Sequence, residues 1–130
     1  MDREQKVGKV LGELESEIME IIWQSSGPVS VRDVTLSLQK KRQIAYTTVM
    51  TIMGRLVEKG LLEYQKRGKV YFYHPVFSKE KFLTRVSRQL IKNFIDRFGD
   101  VAIAHFAKEL EKLTPMKRKE LLKILHRSKR

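Results

Sequence analysis

The chain has no cysteine, which excludes disulfides, thiolate metal sites and cysteine redox sensing and leaves packing to hold the fold. It also has no apolar run near the ~20 residues that span a bilayer, and its acidic, polar start lacks the apolar core of a secretion signal. A soluble, cytoplasmic protein with no stable membrane association is expected. Gly27, Gly54, Gly60, Gly68 and Gly99 stand singly rather than in a G-x-G-x-x-G or P-loop cluster, which argues against nucleotide hydrolysis. His74, His105 and His126 fall in one strand-like and two separate helix-like segments, with no pair at i, i+3 or i+4. Neither a metal set nor a nucleophile, base and orienting group is legible. The expectation is a protein that is not an enzyme and needs no metal or cofactor.

Acid is the scarcer charge. Fifteen Asp and Glu face 27 Lys and Arg, a net charge of +12 with a pI near 10.1, which points to a polyanion: DNA, RNA or an anionic membrane face. The excess is uneven. Residues 1–76 carry 12 bases and 9 acids, net +3, and residues 77–130 carry 15 and 6, net +9. Within the first half, residues 2–20 hold six acids and three bases, whereas Arg32 to Lys69 holds nine bases and three acids. With 42% apolar residues in 130, one domain or two small ones can fold.

Leu11, Leu14, Ile18, Ile21 and Ile22 recur at helical spacing opposite Glu13, Glu17 and Glu20, so a first helix should run to about Ser25, with Trp23 anchoring its end. Gly27-Pro28 breaks it. Ser30 with Asp33 offers a capping-box-like start for a second helix that turns Val31, Val34 and Leu38 inward and ends near Lys40-Lys41-Arg42. Leu36 lies off that stripe and periodicity gives it no place. The third helix, Tyr46 to Gly60, carries most of the functional information. At 100° per residue Val49, Ile52, Met53 and Leu56 share one arc, and Thr47, Thr51, Gly54 and Arg55 share the opposite one. An ordinary surface helix fills its outer face with Glu and Lys. Short threonines there are poor helix formers, but they let a helix sink into a major groove, where a Thr methyl can meet a thymine methyl and Arg can pair with guanine. A β-branched helix packed on both faces is the plain alternative. Ala45 is a weak cap, so Thr47 or Thr48 could cap this helix instead, and Gly60 should stop it.

Leu61 to Gln65 and Val70 to Pro75 are β-prone runs around Lys66-Arg67-Gly68-Lys69, a hairpin with a basic tip. Three helices and such a hairpin describe a winged helix-turn-helix, the wing lying along phosphates beside the groove; a plain solvated turn is the alternative for the tip alone. From Ser78 the chain reads as helices. Phe82, Val86, Leu90, Ile91, Phe94 and Ile95 form a stripe ended by Gly99; Asp100 can cap a helix with Val101, Ile103, Phe106, Leu110 and Leu113; Thr114-Pro115 starts another with Leu121, Leu122 and Leu125. A segment of this size buries only ~60% of its surface, so a partner chain is expected over a monomer whose helices fold back on the wing domain. The fold class is thus mainly α with a small β-hairpin: a winged helix-turn-helix domain over residues 1–76, then a helical dimerisation domain over 77–130.

Particular residues resemble the penicillinase-repressor (BlaI/MecI) family of winged-helix transcriptional regulators over almost the whole chain. They are Leu14-Glu15 with Ile21 and Trp23, Val31-Arg32-Asp33-Val34, Ala45-Tyr46-Thr47-Thr48-Val49-Met50-Thr51 with Arg55-Leu56, and Gly68 with Tyr71 and Tyr73. The resemblance implies a DNA-binding repressor acting as a homodimer on a dyad operator, in a context of β-lactam resistance or related stress genes. Carried over residue by residue, it puts base and phosphate contacts on Thr47, Thr48, Thr51 and Arg55. With the basic and flanking positions, the expected DNA-binding set is Arg32, Tyr46, Thr47, Thr48, Thr51, Arg55, Lys66, Arg67 and Lys69. The expected dimerisation set is Phe82, Val86, Leu90, Ile91, Phe94, Phe106, Leu110, Leu121 and Leu125. The family also implies release by a membrane sensor protease that cuts an Asn-Phe bond in the arm. The matching bond here is His105-Phe106, which keeps the phenylalanine but not the residue before it. A metal-sensing branch uses a cysteine-rich tail, which this chain lacks. The rival from another class is a basic helical module that binds RNA or protein without sequence-specific DNA readout. Membrane docking through Lys117-Arg118-Lys119 is weaker, since no aromatic anchors accompany it.

Overall fold

Punctuation residues decide where the elements begin and end. In a computed structural model that describes residues 11–128, the side chains of Leu125 and Ser128 excepted, the elements are α1 (Glu13–Gln24), α2 (Val31–Gln39), α3 (Tyr46–Glu58), β1 (Leu62–Arg67), β2 (Val70–Pro75), α4 (Lys79–Glu111) and α5 (Pro115–Ser128). At the start of α1 the Gly12 amide donates to the Glu15 carboxylate (2.8 Å). The α2 start is reciprocal: the Asp33 amide donates to Ser30 Oγ (3.1 Å) and the Ser30 amide to the Asp33 carboxylate (3.0 Å), which satisfies two otherwise unpaired helix-end donors. The third helix ends in a Schellman arrangement, in which Gly60 N–H donates to Val57 O and Leu61 N–H to Leu56 O, both at 2.9 Å. Gly60 sits at φ 77°, where a Cβ would be strained.

Ile18, Met19 and Ile22 of α1, Val31, Val34 and Leu38 of α2, Val49, Ile52, Met53 and Leu56 of α3, and Leu62 and Tyr73 of the hairpin form one buried cluster. Burying such a side chain contributes about 1.5 to 3 kcal/mol. All four apolar positions expected on the third helix are in it, as are the three expected on the second. In α1 the stripe is wider than periodicity indicated, because α1 packs against α2, α3 and β2 together; Met19 is therefore buried while Leu14 and Ile21 are only half-buried. Leu36 stands half exposed on the outside of α2, and nothing in the structure explains it.

The hairpin pairs antiparallel, from Leu62 with Pro75 to Arg67 with Val70, so its turn is only Gly68-Lys69. Gly68 has φ 65° and Lys69 does not share the positive φ, the Gly-X arrangement that suits the strand twist. Lys66 and Arg67, expected in the turn, are therefore the last residues of β1. Val29 bridges to Tyr73 (Val29 N–H to Tyr73 O 2.9 Å, Tyr73 N–H to Val29 O 2.7 Å), tying the wing to the segment between α1 and α2. The chain divides into two compact units at Phe82/Leu83. The first extends past Val76 because Trp23 reaches forward: its indole N–H donates to Phe77 O (3.0 Å) and its ring lies 5.2 Å from that of Phe82. Phe82 is thus 7% exposed within the first unit, which corrects its expected place at a dimer seam. In the second unit α4 breaks at Gly99 (φ 76°, ψ −168°), the position expected to end a helix. Thr114 Oγ1 accepts from the Lys117 amide (3.1 Å) at the start of α5.

One tie in the first unit has a pH signature. Burial raises the Glu15 carboxyl, but the Gly12 amide, the Lys59 ammonium at 2.9 Å and the charge of Arg55 outweigh it and hold the group below its ordinary 4.5. A carboxyl depressed in the folded state stabilises above its unfolded value and ceases to do so as pH falls through its folded value. Glu15→Gln should therefore lower stability by about 1 kcal/mol at neutral pH. In urea melts the gap from the parent chain should close as pH drops below 4.5, and a gap unchanged across that range would assign the tie no charge.

Candidate nucleic-acid interface

Because Val49, Ile52, Met53 and Leu56 are buried, α3 cannot rotate about its axis without exposing them, and its outer face is fixed. Thr47, Thr48, Thr51 and Arg55 are exposed on it, and Tyr46 is exposed at the first turn of the helix, on the opposite side from Arg55. Ala45 is the N-cap, without a side-chain capping bond, so neither Thr47 nor Thr48 is the cap. Thr51 Oγ1 donates to Thr47 O (2.9 Å). Its hydroxyl proton is thereby committed to the helix, leaving oxygen lone pairs and a methyl group for anything outside. Arg55 lies near enough to Glu15 to help depress it, which places the guanidinium on the α1 side of this face. Arg32 is exposed on α2.

At the wing, the Lys66 ammonium stands 5.8 Å from the Tyr71 ring centre and the Arg67 guanidinium 5.6 Å from that of Phe72. Successive strand residues point to opposite faces, so Lys66 and Arg67 leave the ribbon on opposite sides, with Lys69 at the turn between them. The three cations surround the tip, which suits a phosphate backbone better than a flat surface. Behind the tip lies a feature that sequence reasoning missed: the three tyrosines of the hairpin, Tyr64, Tyr71 and Tyr73, gather there. Tyr64 is 5.0 Å from Tyr71 and 5.5 Å from Tyr73 between ring centres. Burial, then the neighbouring Tyr64, Tyr46 and Tyr71, pushes the Tyr73 hydroxyl above its ordinary range. The ring contacts lie within the wing, among Tyr64, Tyr71 and Tyr73, and Tyr46 of the first turn of α3 is near enough to influence Tyr73. Alternation of Tyr71 and Tyr73, with Tyr64 opposite, was the available signal.

The residues expected to dimerise, Phe82 aside, lie in the second unit. Leu90, Ile91, Phe94 and Phe106, with Ser87 and Ile103, line an open groove of about 360 Å³ between the two stretches of α4. Val86 is half-buried, and Leu110 and Leu121 are exposed; the side chain of Leu125 lies outside the described residues. Phe98, unassigned by periodicity, is among the most exposed apolar side chains of this unit. His105 and Phe106 are both exposed within a helical stretch. His74 sits 3.5 Å from Glu63 across the hairpin. Among the described residues no group of three His, Cys, Asp or Glu is placed to hold a metal ion, and no helix is long and apolar enough to cross a membrane.

A family model described as Penicillinase repressor matches residues 11–127. The chain is 30% identical over 101 residues to the transcriptional regulator BlaI of Mycobacterium tuberculosis, covering 77% of this chain and 73% of that one. It is 26% identical over 119 residues to the penicillinase repressor of Bacillus licheniformis, covering 92% and 91%. A solution structure of the DNA-binding domain of the repressor BlaI aligns with a TM-score of 0.49 at 30% identity, over 53% of this chain and 83% of that one.

The placement of Arg55 and Lys69 separates two kinds of contact. Arg55→Ala should weaken binding by about 1 to 3 kcal/mol and relax preference at one base pair per half-site, as for an arginine on guanine. Lys69→Ala should weaken all duplexes evenly and reduce the salt slope of log K by about 1 per half-site. Fluorescence anisotropy over a salt series distinguishes them; an even loss with Arg55→Ala would make Arg55 a phosphate contact.

Proposed function

We propose, from the premise that this chain belongs to the penicillinase repressor family, that it is a sequence-specific transcriptional repressor which binds a dyad DNA operator as a homodimer. The observation that carries this reading is the outer face of α3: three threonines and an arginine, exposed on a helix whose rotation is locked by its buried side. A fold that used α3 only for packing would gain from helix formers there. In this reading α3 enters the major groove, Arg32 and the wing residues Lys66, Arg67 and Lys69 neutralise phosphates, and residues up to Phe82 form the DNA-binding unit. The relatives are named as penicillinase repressors and a BlaI regulator, and genes of β-lactam resistance are the corresponding targets.

The second unit is proposed as the dimerisation arm. Its groove and the exposed Phe94, Phe98, Leu110 and Leu121 leave apolar area that a second copy would cover, and two-fold pairing matches two half-sites about one DNA turn, or a multiple, apart. Its basic excess keeps the paired arms attracted to the duplex. Release by a sensor protease is part of the same reading: His105-Phe106 is accessible, and its helical stretch must unwind locally before a protease can hold it extended. A basic RNA- or protein-binding module remains the competing class.

The full chain should bind its operator at roughly 10⁻⁸ to 10⁻¹¹ M, ~10³-fold or more tighter than scrambled duplex. Equal affinity for scrambled duplex or for RNA would reject DNA readout in favour of the competing class. Phe94→Asp should place a charge in the seam, reduce the sedimentation mass to that of one chain and lower operator affinity with it. An unchanged mass would remove the arm from dimerisation.

A further inference from the structure

Two positions on α3 do nothing for the fold that a commoner helix residue would not do better. Met50 is 46% exposed, on the flank between the buried arc and the threonines. Gly54, one turn further along the same flank, lies inside α3 with helical backbone. A Cβ built on Gly54 would meet no atom within 4 Å. Among the described residues no turn and no close packing therefore calls for glycine there, although glycine in a helix interior costs about 1 kcal/mol relative to alanine. The result is a strip of bare backbone beside an exposed thioether, with open space above it.

We infer that Met50 and Gly54 form an apolar notch that admits a thymine 5-methyl group in the major groove. The inference rests on the reading of α3 as the DNA-reading helix. Neither side chain carries a hydrogen-bond donor, and a thioether is a weak acceptor, so the notch has nothing to offer the amino, carbonyl or ring-nitrogen groups of the base edges. The thymine methyl is the one apolar group displayed in that groove. The missing Cβ lets a base edge approach the helix backbone, and the flexible thioether closes over the methyl from the side. Thr51, next on the helix surface, has its hydroxyl proton tied to Thr47 O, so its methyl extends the same apolar contact. The notch thus specifies T·A where Arg55 is placed to specify guanine.

The test uses the full chain and a duplex enriched by it from a random-sequence pool. Each thymine of that duplex is replaced singly by deoxyuridine, which deletes only the methyl. At one thymine per half-site the parent chain should lose about fourfold in affinity, the worth of one buried methyl. With Met50→Ala the same replacement should have little effect. Gly54→Ala should raise the melting temperature by a few degrees while lowering affinity for the enriched duplex at least tenfold and leaving scrambled duplex unchanged. Parent-like operator binding by both variants, or a deoxyuridine effect that persists in Met50→Ala, would overturn the notch. Failure of the parent chain to enrich any sequence would instead reject the DNA reading itself, and the notch with it.

Discussion

The rotational setting of α3 is the constraint on which the rest depends. Four side chains on one arc, Val49, Ile52, Met53 and Leu56, are buried against α1, α2 and the hairpin. Turning the helix by even one residue's angle would bring some of them into water at a cost of kilocalories each. Everything on the far side is thereby presented at a fixed angle without needing contacts of its own. This is why poor helix formers can stand there: the buried face supplies the stability that threonine and glycine withhold.

Around that helix the other elements act as fixtures. The Schellman end at Gly60 turns the chain directly into Leu62, whose burial starts the wing. The Val29 bridge and the burial of Leu62 and Tyr73 in the helical core then hold the wing against the helices. The basic tip is thereby kept at a set distance from the reading face, while cation and ring contacts steady Lys66 and Arg67. Such contacts are worth about 0.5 to 1 kcal/mol at exposed sites, enough to bias the side chains and too little to prevent their turning toward phosphate.

The helices were legible from the sequence where a helix has one dry side. For α2 and α3 the 100° rule named every buried apolar residue, because each presents a single stripe to the core. It was incomplete for α1, where three neighbouring elements widen the stripe to include Met19. It misplaced Phe82, because periodicity reports that a residue is apolar and not which unit buries it; only the long-range reach of Trp23 decides that. The wing was legible as two strands and a glycine, but not its length, since Lys66 and Arg67 look like turn residues until the pairing register is known. Of the reading face, the hydroxyls and Arg55 stood out by composition. Spacing placed Gly54 on that arc but not Met50, and the open space around Gly54 is an absence of neighbours that no spacing rule reports. In the second unit, Leu90, Ile91, Phe94, Phe106, Leu110 and Leu121, all read from spacing, stand exposed.

One locked helix, displayed twice, is proposed to read DNA. Hydroxyl-radical footprinting of the full chain on its enriched duplex tests this most directly. The expected pattern is two protected tracts related by a dyad, centred about one helical turn or a multiple apart. A single unsymmetrical tract, or uniform protection along the duplex, would contradict it.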